Sequence, residues 1–389
     1  MSTDPEAVEQ RIVRPVMPEL DSIRGIAILL VFWFHGFRFF TPAASAPAWE
    51  KLFLAGASHG GSGVNLFFVL SGFLITGILL DSVGKSGYYS RFYYRRALRI
   101  LPAYYLLLLV LFGMRFVSFA PRHTSLAFLG LSFIYLSNMT PLFGVPMQYG
   151  PLWSLAVEEH FYLLWPAAVR ALRKRAFLIA AASICVMEPL LRIHALHRGG
   201  LWWWSYTWLF ADGLALGALL AIFARSALAT RKNLLIISGL SAAFASATWA
   251  LSFAVPREVG IGIATTAVNC LALAVVSAIL WLGTGPYRRL VNLRVLAFYG
   301  YISYGLYLIH ALSLDVYDDV ASHVAPSLVV GGSFGKCCLR FLIALALATG
   351  VAYLSRVTYE EFFLRMKNKT QPARDSIRTS AATTPALGG

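Results

Sequence analysis

Charge is what this chain lacks. Of its 389 residues only 13% are Asp, Glu, Lys or Arg and 58% are hydrophobic, whereas an ordinary soluble domain carries about 25% charge and 45–50% apolar residues. That balance excludes a soluble, disordered or nucleic-acid-binding protein. Cysteine is scarce too: there are four, two of them adjacent (Cys337, Cys338) and none in a C-x-x-C pair, so neither a disulfide framework nor a zinc site is encoded. A Walker lysine loop, a Rossmann glycine fingerprint, H-E-x-x-H and H-H-x-x-x-D-G are all missing, which leaves nucleotide hydrolysis and metal catalysis unsupported; no metal is expected. Gly331 to Gly335 match G-x-S-x-G, but no strand precedes them, so the match reads as chance. Residues 1–18 are polar and the first apolar run is too long for an h-region, so no signal peptide is expected.

What the chain has is long apolar sequence. Runs near 23–40, 62–81, 99–117, 154–170, 176–191, 207–224, 233–254, 260–282, 296–313 and 337–356 approach the roughly 20 residues needed to cross a hydrocarbon core. A further run, Leu126 to Leu136, has only about 11 residues, a length that fits a re-entrant or interfacial segment. With the N-terminus placed in the cytoplasm, the inner connections hold 21 Lys and Arg and the outer ones 5. That asymmetry follows the positive-inside rule, and counting 126–136 as a crossing would turn the Arg170–Arg175 cluster outward against it. The formal charge of +15 is therefore read as topology, with no nucleic-acid partner. The sequence predicts an all-α polytopic integral membrane protein of about ten transmembrane helices, both termini cytoplasmic, with one short re-entrant or interfacial helix near 126–136. It divides into a cytoplasmic segment (1–18), a membrane domain (19–356) and a cytoplasmic tail (357–389), rich in Ser, Thr, Ala and Pro at its end and expected to be disordered there. An outer loop, 314–335, would carry Asp315, Asp318 and Asp319.

Ionisable residues inside spans are costly, so each needs a partner or a task. Arg24 and His35 share one stripe of the first span, 11 residues and about 16 Å apart. Arg24 alone reads as an interfacial anchor, while His35, flanked by Trp33, Phe34 and Phe37, is either a satisfied core histidine or a functional one. Arg95, Arg96 and Arg99 stand at the inner end of the third span. They are topology anchors or, through the three-residue spacing of Arg96 and Arg99, a grip for phosphate. Glu158 and Glu159 fall within membrane depth. Glu158 shares a face with Ser154 and Tyr162, and either orients His35 or forms a buried salt bridge with an arginine such as Arg38 or Arg115. Asp212 and His310 are two further intramembrane candidates, each of which would otherwise bond a neighbouring helix. Asn65 and Ser71 read as packing residues.

Four segments in order resemble the membrane acyltransferase 3 family: Arg24 followed after ten residues by His35; Tyr93 to Pro102; Trp153 to Pro166 with its Glu-Glu-His; and Ser303 to His310. The similarity spans roughly residues 18–356. It implies a ten-helix protein of the inner (cytoplasmic) membrane that moves an acyl group, usually acetyl, from cytosolic acyl-CoA to hydroxyls of cell-surface carbohydrate or glycolipid, or in some members to macrolides and other small molecules. The implied roles are donor binding for Arg24, Arg96 and Arg99, and catalysis for His35 with Glu158 orienting it; Arg95, Glu159, Asp212 and His310 are secondary candidates. Acyl-CoA, chiefly acetyl-CoA, is a donor substrate, and no permanently bound cofactor is implied. Two departures stand out. Phe210 occupies a position where many relatives carry Arg, two residues before Asp212, and residues 357–389 are too few for the soluble domain some relatives append, so a separate extracytoplasmic protein would be needed if transfer is completed outside. The rival reading of the same buried charges is a transporter or flippase.

Overall fold

Pro18, Pro47, Pro151 and Pro256 stand immediately before four of the helices, where a fixed φ and a missing N–H cost nothing. Ser125 and Thr230 start two others by accepting the backbone N–H of Phe128 (3.1 Å) and Asn233 (3.1 Å). The chain, seen in a computed structural model, is described over residues 12–14, 16–117, 124–200, 204–329 and 333–369. Most of the predicted 1–18 segment, the end of the predicted tail and the start of the Gly331–Gly335 match lie outside the described residues.

Among the described residues there is no strand. The helices are α1 (Glu19–Phe37), α2 (Ala48–Ser58), α3 (Ser62–Leu80), α4 (Tyr88–Gly113), α5 (Leu126–Phe133), α6 (Leu152–Ala171), α7 (Lys174–His197), α8 (Asp212–Phe223), α9 (Arg231–Leu251), α10 (Arg257–Gly283), α11 (Arg288–Val291), α12 (Arg294–Tyr301), α13 (Ser303–Val324), α14 (Phe334–Ser355) and α15 (Glu361–Lys369). Seven helical segments are long and apolar enough to cross a membrane, and α12 with α13 makes an eighth only as a pair bent by 77°. The predicted spans at 154–170 and 207–224 do form helices. However, α6 carries two glutamates, and α8 has 12 residues, short of the roughly 20 a crossing needs.

Three predicted boundaries move. The outer connection 41–61 contains α2, the aspartates of the predicted loop 314–335 lie on α13, and the basic residue Arg192, counted with an outer connection, is a buried residue of α7. In each case a polar residue is compatible with helix and its charge hid the continuation.

The faces turned away from the bundle are apolar: Leu109, Leu163, Leu164, Ile179 and Leu240 are all exposed. Water would not tolerate so large an apolar surface, and hydrocarbon requires it. The protein is a multi-pass helical membrane protein. Inside, α3 packs along α8 so closely that a Cβ on Gly72 would strike the Leu214 carbonyl and one on Gly217 the Val69 carbonyl. Such small-residue contacts let two backbones meet where apolar burial supplies no drive. This contact holds α3 and, with it, one wall of the central cavity.

Candidate active site

The central cavity, about 190 Å³ in volume, is built from α1, α3, α4, α6 and α13. On α3 the residues Val64, Phe67, Phe68, Ser71, Leu74, Ile75 and Ile78 line it, a stripe at helical spacing some 21 Å long. The cavity thus sets an apolar stripe on α3 against the charged side chains of α1, α4 and α6.

Arg24 of α1, Arg96 and Arg99 of α4, and Glu158 and Glu159 of α6 all line this cavity. The predicted face of α6 is real, since Ser154, Glu158 and Tyr162 line it together. The partners of these groups are specific. Ser71 Oγ donates to Glu158 Oε1 (2.8 Å), the Arg96 guanidinium lies 3.9 Å from the centre of the Tyr162 ring, and both carboxylates act electrostatically on Arg96. Arg24 Nη1 donates to Asp21 Oδ1 (2.5 Å). Arg99 stands among the like charges of Arg24, Arg96 and Arg356, and Glu360, in the π-helical turn Arg356–Glu360, faces it electrostatically. Arg96 Nε is buried without a hydrogen-bond partner. Crowded guanidiniums with unspent donors suit an anionic guest. Arg95 is absent from the lining.

His35 shares α1 with Arg24 but is not part of the cavity lining. No hydrogen bond joins it to Glu158; instead its Nδ1 donates to the Val31 carbonyl (2.9 Å), and its ring meets that of His310 with centroids 4.7 Å apart. Arg38 stacks on Phe34 and Phe39, and Arg115 donates to the Thr124 carbonyl, so neither is the partner of Glu158. His310, fully buried, donates from Nδ1 to the Tyr307 carbonyl (2.6 Å), and its Nε2 has no partner. Since carbonyls only accept, the proton of each neutral ring sits on Nδ1, which leaves Nε2 as the basic lone pair. Tyr307 bridges the two places: it lines the cavity, its hydroxyl meets Ser154 Oγ (2.5 Å), and its ring lies 5.4 Å from that of His310.

Asp212 is elsewhere. Arg192 grips it with two bonds (3.1 and 2.7 Å), Asn269 Nδ2 donates to it (2.8 Å), and its own N–H goes to Glu188 (2.6 Å). Arg192, from α7, supplies the guanidinium that Phe210 does not. Asn65 joins this network by donating to Asn269 (2.7 Å). Sequence reasoning missed Arg192, Glu188, Ser71 and Tyr307 as partners. A buried arginine inside an apolar helix was the one available signal, for Arg192.

Among the described residues no cluster of His, Cys, Asp and Glu is arranged to hold a metal ion. The family model of the acyltransferase domain matches residues 17–357. A peptidoglycan O-acetyltransferase of Listeria monocytogenes is 35% identical over 174 residues, 40% of this chain and 25% of that protein. A Bacillus subtilis protein provisionally named as a peptidoglycan O-acetyltransferase is 32% identical over 205 residues, 47% of this chain and 29% of that protein. The chain thus covers less than a third of the length of these relatives. No solved structure matches it. The chain belongs to the acyltransferase 3 family.

Proposed function

We propose that this family member is an O-acyltransferase that carries an acetyl group from cytosolic acetyl-CoA to a hydroxyl of a cell-surface or secreted carbohydrate across the cytoplasmic membrane. One observation supports the reading above others: the cavity that gathers Arg24, Arg96 and Arg99 is also lined by Tyr307, whose ring meets His310 and through it His35, two histidines whose Nδ1 atoms are spent on backbone carbonyls. In this reading the arginines hold the donor's phosphates at the mouth while the pantetheine arm lies along the α3 stripe. Glu158 and Glu159 keep Arg96 from wandering and temper the local positive charge.

At the far end His35 Nε2 takes the proton of the acceptor hydroxyl as its oxygen attacks the thioester carbonyl. The C–S bond breaks, and the departing CoA thiolate recovers the proton from His35, which returns to its neutral form. His310, rather than Glu158, is the group set against His35, with Arg95 and Asp212 outside the chemistry. The names of the Listeria and Bacillus relatives favour a glycan as acceptor over a macrolide-like small molecule.

The test is purified protein with radiolabelled acetyl-CoA and a glycan acceptor. Acceptor-dependent release of free CoA thiol and labelled glycan is the expected result. Donor that stays intact while solute crosses a reconstituted bilayer would make the protein a transporter instead.

A further inference from the structure

A second cleft, of about 230 Å³, opens beside the C-terminal end of α1, where Gly36, Phe39, Phe40, Asp318, Cys337 and Arg340 meet. Gly36, the residue after His35, is part of its lining, at the opposite end of α1 from Arg24. Arg340 commits three of its N–H donors here. Nε and Nη2 hold the two oxygens of Asp318 (2.6 Å each) and Nη1 donates to the Gly36 carbonyl (3.0 Å). This clamp fixes the Asp318 carboxylate in orientation while leaving 44% of that side chain exposed. A carboxylate offers about four lone-pair positions, so about two remain for a guest in the cleft that Asp318 lines. On the other edge the Phe39 ring is 85% exposed at the end of the helix, with the Arg38 guanidinium 5.1 Å from its centre.

A sugar ring has two kinds of surface, flat patches of C–H groups and a rim of hydroxyl donors. An exposed aromatic ring, whose second face Arg38 leaves open, beside a carboxylate with open acceptor positions answers both. An acyl chain would leave the clamped pair desolvated without a partner, which is costly.

We propose that this cleft is the docking site of the acceptor sugar, with Phe39 under the ring and Asp318 accepting its hydroxyls, so that a neighbouring hydroxyl reaches His35. The proposal rests on the acyltransferase reading above and adds the place where the acceptor binds. Arg340 is a positioning residue for Asp318, and Gly36 ties that clamp to the helix that carries His35.

The experiment uses the full chain in nanodiscs with acetyl-CoA and an N-acetylglucosamine tetramer as acceptor. Phe39→Ala removes an exposed ring that packs into no core, and Asp318→Asn keeps the shape of the carboxylate while removing its charge. Each is expected to raise the KM for the tetramer about tenfold, the worth of roughly one charged hydrogen bond or stacking face, while the KM for acetyl-CoA stays within about twofold. Arg340→Lys should raise the tetramer KM as well, because an ammonium cannot hold both carboxylate oxygens and the carbonyl in one plane. An unchanged tetramer KM in Phe39→Ala and Asp318→Asn overturns the proposal, and so does turnover of acetyl-CoA with no transfer to the tetramer. Absence of any acetyl-CoA turnover by the wild-type protein overturns the acyltransferase reading itself, which is a different result.

Discussion

At the scale of single residues, Arg96 and Arg99 make the sharpest prediction. Arg96→Ala and Arg99→Ala should each weaken acetyl-CoA binding by roughly 10- to 100-fold, since a hydrogen bond to a charged group is worth about 1.5–3 kcal/mol. Titration calorimetry on the folded variants measures this, and wild-type affinity in the double variant would reduce both residues to topology anchors. Arg96→Lys should not restore binding, because the flat guanidinium lies on the Tyr162 ring at 3.9 Å and an ammonium cannot keep that stack while reaching an anion. For His35 the expectation is loss of transfer with little change in donor affinity, in His35→Ala and His35→Gln alike, since an amide replaces a hydrogen bond but takes up no proton. Substantial turnover by the glutamine variant would move the base to His310. Much of this site was legible in the sequence: the ten-residue gap from Arg24 to His35 and the Ser154, Glu158, Tyr162 face each belong to a single helix, α1 and α6. The bonds from Ser71 to Glu158 and the contact of His35 with His310 join helices distant in the chain. No periodicity encodes a crossing angle, so the expected link from Glu158 to His35 was chemically sensible and spatially wrong.

At the scale of elements, the α3–α8 contact decides whether the cavity wall exists. Gly72→Val places a branched side chain where the Leu214 carbonyl already stands. Overpacking that side chains can relieve costs about 1–3 kcal/mol, and a backbone carbonyl yields less than a side chain, so the variant should fall at or above that range. Thermal denaturation in detergent should show a clear drop, with donor binding lost alongside it because Ser71 is the next residue. The ends of the same two helices are tied by Arg225 and Asp81 (2.8 and 2.7 Å). Arg225 holds the Asp81 carboxyl below its ordinary value. A depressed carboxylate contributes stability above its unfolded value and loses it as pH falls through the folded one, so the tie should hold at neutral pH and fail only below about pH 4. Asp81 is more than half exposed, so Asp81→Asn should cost under ~1 kcal/mol. Helices themselves were easy to read from apolar length, whereas α2 and the continuation of α13 through its aspartates were not, because polar residues end an apolar run without ending a helix.

At the scale of the whole molecule, contacts alone sort the helix ends into two sets. Asp81 meets Arg225, Tyr88 donates to the Pro166 carbonyl, Arg170 lies over Tyr88, Arg231 over Trp281, and Arg14 reaches the Gly283 carbonyl. The C-terminal ends of α3, α6, α8 and α10 and the N-terminal ends of α1, α4 and α9 therefore share one end of the bundle. Asp318, Arg340 and Gly36 meet at the other. The first end collects Lys85, Arg170, Arg173, Lys174, Arg175, Arg225, Arg231, Lys232, Arg288 and Arg289, while the second carries the aspartates of α13. Under the positive-inside rule the basic end is expected to face the cytoplasm. In a background whose four native cysteines are replaced by serine, cysteine at position 173 or 232 should react with an impermeant maleimide only after the cells are opened. Cysteine at position 319 should react in intact cells. The reverse pattern would invert every side assigned above, and acetyl-CoA would then have to arrive from the compartment that lacks it. Labelling at all three positions from one face would break the parity of the bundle, because contacts fix positions 173 and 319 at opposite ends whatever surrounds them.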